Sequence, residues 1–117
     1  MAHYTGRCHC GAAQFEFSAP EITDAMLCDC SICRRKGGAL STFLVPPDAL
    51  NITGELETLK TYQFGTSIAR HHFCGDCGIH IFVETRLNPG QYRINLGCID
   101  EVDVMELPAQ IYDGKSL

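Results

Sequence analysis

The chain has 117 residues, 45% of them apolar and 20% charged, with a formal net charge of −5. This length and apolar content suit one domain, residues 1–117, with a modest core, and they exclude a disordered tail. The acidic balance excludes nucleic acid as the main partner, because phosphate binding needs a basic face, and no apolar run approaches the length of a bilayer crossing.

In chain order, the opening MAHYTGRCHC has no hydrophobic leader core, which places the protein in a reducing cytoplasm, with His3 in a frayed terminus. AAQFEFS (12–18) alternates around Phe15 and Phe17 as a strand does, and ITDAMLC (22–28) leads as a second strand into a cysteine cluster. SICRRK (31–36) predicts a short helix stopped by Gly37 and Gly38. LSTFLVP (40–46) is an apolar strand ended by Pro46 and Pro47, and PPDALN (46–51) allows a helical turn or two. LKTYQF (59–64) and IARHHF (68–73) flank GTS and predict a hairpin. HIFVET (80–85) and YRINLGC (92–98) form two further strands, separated by RLNPGQ with its Asn88-Pro89-Gly90 turn signal. The fold class is mostly β, built from short strands.

A domain this small buries little surface against its ordering entropy, and a structural metal is one remedy: zinc contributes roughly 10–16 kcal/mol of apparent binding free energy in finger-type peptides. The cysteines fit that remedy better than disulfides, since seven of the eight fall in C-x-C and C-x-x-C groups. CGDCG (74–78) is a knuckle pattern, in which a tight turn aims Cys74 and Cys77 at one ion. CHCG can supply the other half: Cys8 and Cys10 project to one face of a strand, and a curl at Gly11 brings them together. Two pairs make a closed four-cysteine shell.

Cys28, Cys30 and Cys33 remain. Three thiolates around zinc leave a position for water or substrate, as catalytic sites do, and Arg34, Arg35 and Lys36 can offset their charge while attracting an anionic thiol. Two other assignments stay open at this level: a second structural zinc completed by a histidine or Cys98, or an empty, redox-active thiol group. Cys98 itself reads as a small buried hydrophobe. His9 points away from its flanking ligands toward solvent. His71 and His72 face opposite sides of their strand, with structural roles, and His80, just past the knuckle, is the histidine to watch. Asp100 has no catalytic role.

The order C-x-C, then C-x-C-x-x-C with basic residues after it, then F-C-x-x-C-G, then a late strand ending G-x-x-D resembles the glutathione-dependent formaldehyde-activating (GFA) family, to which the centromere protein V domain is related. The resemblance spans about residues 6 to 100. It implies a small β-tent fold of short antiparallel strands with two zinc sites: Cys8, Cys10, Cys74 and Cys77 as the structural set, and Cys28, Cys30 and Cys33 as the catalytic set. It also implies a carbon–sulfur lyase type of activity that joins glutathione and formaldehyde into S-hydroxymethylglutathione. The terminal AQIYDGKSL departs from the family's tryptophan-bearing tail. From these residues the expected function is a zinc enzyme acting on a small thiol, with Arg34, Arg35 and Lys36 binding the ligand. The alternative is a non-enzymatic zinc scaffold.

Overall fold

The computed structural model describes residues 1–116. Its nine strands form three sheets. The first orders β1 (Ala2–Arg7), β2 (Gln14–Ala19) and β4 (Leu50–Ile52), all antiparallel. The second pairs β3 (Ala25–Cys28) with β9 (Ala109–Tyr112), and the third runs β5 (Leu59–Tyr62), β6 (Arg70–Cys74), β7 (His80–Glu84), β8 (Tyr92–Ile94) in meander order. The one α-helix among the described residues, α1, spans Ser31–Lys36. Among the described residues no helix is long and apolar enough to cross a membrane.

Alternation places Phe15, Phe17 and Ala19 of β2 in the core, where the Phe15 ring meets Phe82 edge-on at 5.6 Å. β7 departs from alternation: Ile81, Phe82 and Val83 are all buried. Ile81 and Phe82 belong to the main core, whereas Val83 packs with Met26 and Leu40 in a second cluster against Cys28, Cys33 and Tyr112. β7 thus divides the main core from a small apolar floor beneath the three-cysteine group.

The predicted hairpin forms, β5 pairing β6 with Leu59 opposite Cys74. The two strands expected on either side of the Asn88-Pro89-Gly90 turn pair as well, β7 with β8 and Phe82 opposite Ile94. The expected helix is present, and a 3-10 turn at Pro47–Ala49 replaces the second helical signal. Three elements differ. LSTFLVP is not a strand; only Leu40 and Val45 make isolated bridges. Ser41, fully buried, accepts from the Ile94 N–H and donates to the Phe43 carbonyl, so a side chain takes a ladder partner's place and the chain bends. YRINLGC ends as a strand at Ile94, and Cys98, buried as expected, lies in a 3-10 turn over Leu96–Cys98. The N-terminus, expected to fray, is β1. Its inward positions are Tyr4 and Gly6, and a Cβ at Gly6 would sit 2.9 Å from ring carbons of Phe15. With a glycine occupying one of two inward sites, the period-2 signal is erased.

Not every pairing is antiparallel. β3 and β9 are parallel, Ala25 opposite Ala109 and Cys28 opposite Tyr112. This pairing brings Tyr112, and after it Gly114 and Lys115, beside the three-cysteine cluster.

Candidate metal centres

Two cysteine groups can hold a metal ion: Cys8, Cys10, Cys74 and Cys77, and separately Cys28, Cys30 and Cys33, with the sulfurs of each group within 4.8 Å of one another. In the first, Cys8 leaves the end of β1 and the chain curls at Gly11 (φ 85°), so the Cys8 N–H donates to the Ala13 carbonyl at 3.0 Å and the Ala13 N–H to the Cys8 sulfur at 3.4 Å. On the other side, Gly78 (φ 80°) closes the knuckle, its N–H donating to the Cys74 carbonyl at 2.8 Å. These two positive-φ turns need glycine because a Cβ disfavours the left-handed region. The Cys8–Cys10 and Cys10–Cys74 sulfur separations are 3.6 and 3.7 Å. Four sulfurs at about 2.3 Å from a tetrahedral ion lie about 3.8 Å apart, so this donor set fits zinc.

The second group is assembled by three elements. Cys28 ends β3; Cys30 is the N-cap of α1, its sulfur accepting from the Cys33 N–H at 3.4 Å in the manner of a capping hydroxyl; Cys33 lies one turn on, its carbonyl taking the Gly37 N–H. The chain end completes the cradle. The Asp29 N–H donates to the Tyr112 carbonyl at 3.1 Å, the Lys115 N–H to the Asp29 carboxylate at 3.0 Å, and Gly114 is drawn against the trio. A Cβ on Gly114 would overlap the Cys28 sulfur and lie 3.0 Å from the Cys30 Cβ. Only a residue without a side chain leaves the sulfurs free to converge. Gly114→Ala is expected to displace Cys28 and weaken metal retention at the trio at least tenfold, at a stability cost of about 1–3 kcal/mol. Metals per chain after a timed chelator challenge, with a melting curve, measure this.

The basic run does not act as a block. Arg34 and Arg35 are exposed, Arg35 donating to the Ser31 carbonyl at 2.8 Å, while Lys36 turns inward. Its Nζ sits 3.1 Å from both His71 Nδ1 and His80 Nε2, and it feels the charges of Cys33, Cys30 and Cys28. Burial, with Lys36 second, pushes His71 down to about 4 and His80 to about 3, so both rings are neutral at neutral pH. Burial raises the Cys33 thiol while Lys36 pulls it back. His80 therefore faces the lysine. His9 is exposed, and His72 lies 3.4 Å from Glu84. Asp100 pairs loosely with Arg7 at 3.7 Å.

One residue at the trio carried no signal in the sequence. Arg93 of β8 is half-buried, donates to the Ser41 carbonyl at 3.0 Å and lies 5.8 Å over the Tyr112 ring. It lines a cavity of about 100 Å³ with Cys28, Cys33, Arg86, Asn88 and Tyr112, over apolar walls that include Met26 and Val83. Arg93 lies 60 residues beyond Cys33 in the chain, and only the β7–β8 pairing brings it there.

The fold and these two groups define a small, mostly β protein with two cysteine clusters, of four and of three sulfurs, that could each hold a metal ion. The family described as glutathione-dependent formaldehyde-activating enzyme matches residues 3–115, and the chain belongs to that family. It is 32% identical over 90 residues to a Halomonas elongata protein named "Putative glutathione-dependent formaldehyde-activating enzyme", a match covering 67% of this chain and 54% of that protein. The chain thus spans about half the length of that curated relative. It also superposes on a crystal structure of a Rhodobacter sphaeroides protein with a TM-score of 0.79 and 38% identity, covering 90% of this chain and 98% of the other.

Proposed function

We propose that this protein is a zinc-dependent enzyme of carbon–sulfur lyase type that joins glutathione and formaldehyde, or the reverse, with residues 1–117 as one β-tent domain. The observation that carries this reading is the contrast in donor number: four sulfurs in one group, and three in another bordering a cavity with an arginine. Cys8, Cys10, Cys74 and Cys77 hold the structural ion; Cys28, Cys30 and Cys33 hold the catalytic one. Cysteines unbridged and clustered as metal ligands support a reducing, cytoplasmic setting.

Bound zinc lowers the pKa of a thiol brought to it, supplying nucleophile at neutral pH. The new bond joins the thiol sulfur to the aldehyde carbon, and the thiol's proton ends on the former carbonyl oxygen. Met26, Leu40 and Val83 give the cavity an apolar wall beside the trio. The cavity admits only a fragment of the tripeptide, the end that carries sulfur. Arg93 and Arg86 beside it meet the carboxylates. Arg34 and Arg35, exposed on α1, meet ligand only outside the cavity. Lys36, three residues after Cys33 on α1, offsets the charge of the trio.

Arg93→Leu is expected to raise KM for glutathione roughly ten- to a hundredfold, the worth of a charge-assisted hydrogen bond, with a smaller change in kcat. An unchanged KM in a folded variant removes Arg93 from substrate binding. The reading as a whole is tested by adding metal-loaded protein to glutathione and formaldehyde and following adduct exchange by NMR. A rate no faster than the uncatalysed one, with two metals per chain, would leave a zinc scaffold as the function.

A further inference from the structure

We propose that Lys36 is a positioning residue: its ammonium, clamped by His71 and His80, draws charge from the Cys33 sulfur and so sets how strongly the trio donates to a bound metal. This rests on reading Cys28, Cys30 and Cys33 as a metal site.

A lysine at the end of a short helix normally carries its ammonium out to water. Lys36 does the opposite, and its burial has to be compensated. An ammonium has three N–H donors and no acceptor. Two of them are taken by ring nitrogens at 3.1 Å, His71 Nδ1 from β6 and His80 Nε2 from β7. Phe64 stacks on the His71 ring at 5.9 Å, and the His71 and His80 rings lie 6.2 Å apart. The His80 backbone is fixed by Asn95 Nδ2 donating to its carbonyl at 2.8 Å, while His80 Nδ1 is buried with no partner among the described residues. The cation is therefore held by paired strands and is not free to swing out and follow a ligand.

The choice of partners matters. Among the described residues the ion pairs do not include Lys36, so no carboxylate neutralises it. Neutral imidazoles orient an ammonium without cancelling its charge, whereas an aspartate or glutamate would cancel it. The charge is left to act on the thiols beside it, Cys33 foremost, which lies three residues earlier on the same face of α1. Three thiolates donate so strongly that they blunt the electrophilic character of a bound metal. A fixed cation beside one sulfur lowers that sulfur's donation, in the way groups around a metal's ligands tune the metal. The same cation offsets the excess negative charge of the trio and strengthens metal retention.

Cobalt(II) reads both effects without turnover, because the sulfur-to-cobalt charge-transfer band moves with the energy of the sulfur lone pairs. In Lys36→Met, the band from the trio is expected to shift to longer wavelength, and cobalt affinity at that site to fall about 10–100-fold, with the four-cysteine site unchanged. Lys36→Arg, which keeps the charge, is expected to lie between. A folded Lys36→Met whose trio band and affinity match the wild type overturns the proposal and leaves the metal-site reading standing. A wild type that takes up only one cobalt per chain overturns that reading and this proposal with it. Should Lys36→Met fail to fold by circular dichroism, His80→Leu removes one clamp and keeps the lysine. It is expected to give a smaller shift in the same direction, and no shift overturns the proposal.

Discussion

Cys74→Ser is expected to unfold the protein or lower its melting temperature by tens of degrees. Cys74 is fully buried, ends β6 and shares the knuckle with Cys77. Its cluster ties the end of β1 to the β6–β7 turn, two segments more than sixty residues apart, the Cys10–Cys74 sulfur contact alone spanning 64. With zinc in this cluster, the apparent binding free energy is roughly 10–16 kcal/mol, against a typical net stability of about 5–15 kcal/mol for a whole domain. A serine hydroxyl is a poor zinc ligand, so losing even half of that binding energy removes most of the margin. Chelating the wild type should reproduce the effect, and circular dichroism melts of both, read against metal content, check it. A Cys74→Ser variant that melts like the wild type would show that the cluster does not hold the fold together.

Cys30→Ser is expected to do the reverse: leave the fold, remove the function. The substitution leaves two thiols at the trio, too few to hold the second ion firmly, so metals per chain should fall from two to one and the formaldehyde–glutathione exchange to the uncatalysed rate. The fold should survive for a local reason. The Cys30 sulfur caps α1 by accepting from the Cys33 N–H, and serine is among the preferred N-cap residues, so the hydroxyl can take over that hydrogen bond. The expected stability change is within about 1 kcal/mol, small beside the loss in Cys74→Ser. Elemental analysis and melting curves of the two variants side by side decide it. Equal damage at both positions would mean that structural and catalytic sites are not divided between these clusters.

The parts of the site legible in the sequence were those held by local geometry. A C-x-x-C-G turn brings two sulfurs together whatever surrounds it, and C-x-C-x-x-C at a strand-to-helix junction does the same for three, so the knuckle pair and the trio could be read from spacing, as could the hairpin around GTS. The meeting of Cys8 and Cys10 with Cys74 and Cys77 rests instead on tertiary pairing, Cys74 lying 64 residues on from Cys10. Spacing says nothing of which way a side chain on a short helix turns once that helix is packed. Arg34, Arg35 and Lys36 are adjacent in sequence, yet only Lys36 points inward, because the two histidines that receive it come from β6 and β7.

By itself, then, the amino-acid order determined the seven clustered cysteines, their grouping by spacing into two pairs and a trio, and the mostly β character of the chain. Tertiary structure alone decided what surrounds the trio: Arg93 delivered by β8, the neutral clamp on Lys36, and Gly114 pressed against Cys28 by a parallel strand that its own residues, mostly exposed, do not announce. The physical reason is separation along the chain. Ligands within one turn are placed by a few backbone dihedrals, whereas Asp29 and Lys115, 86 residues apart, meet only after the sheets have paired.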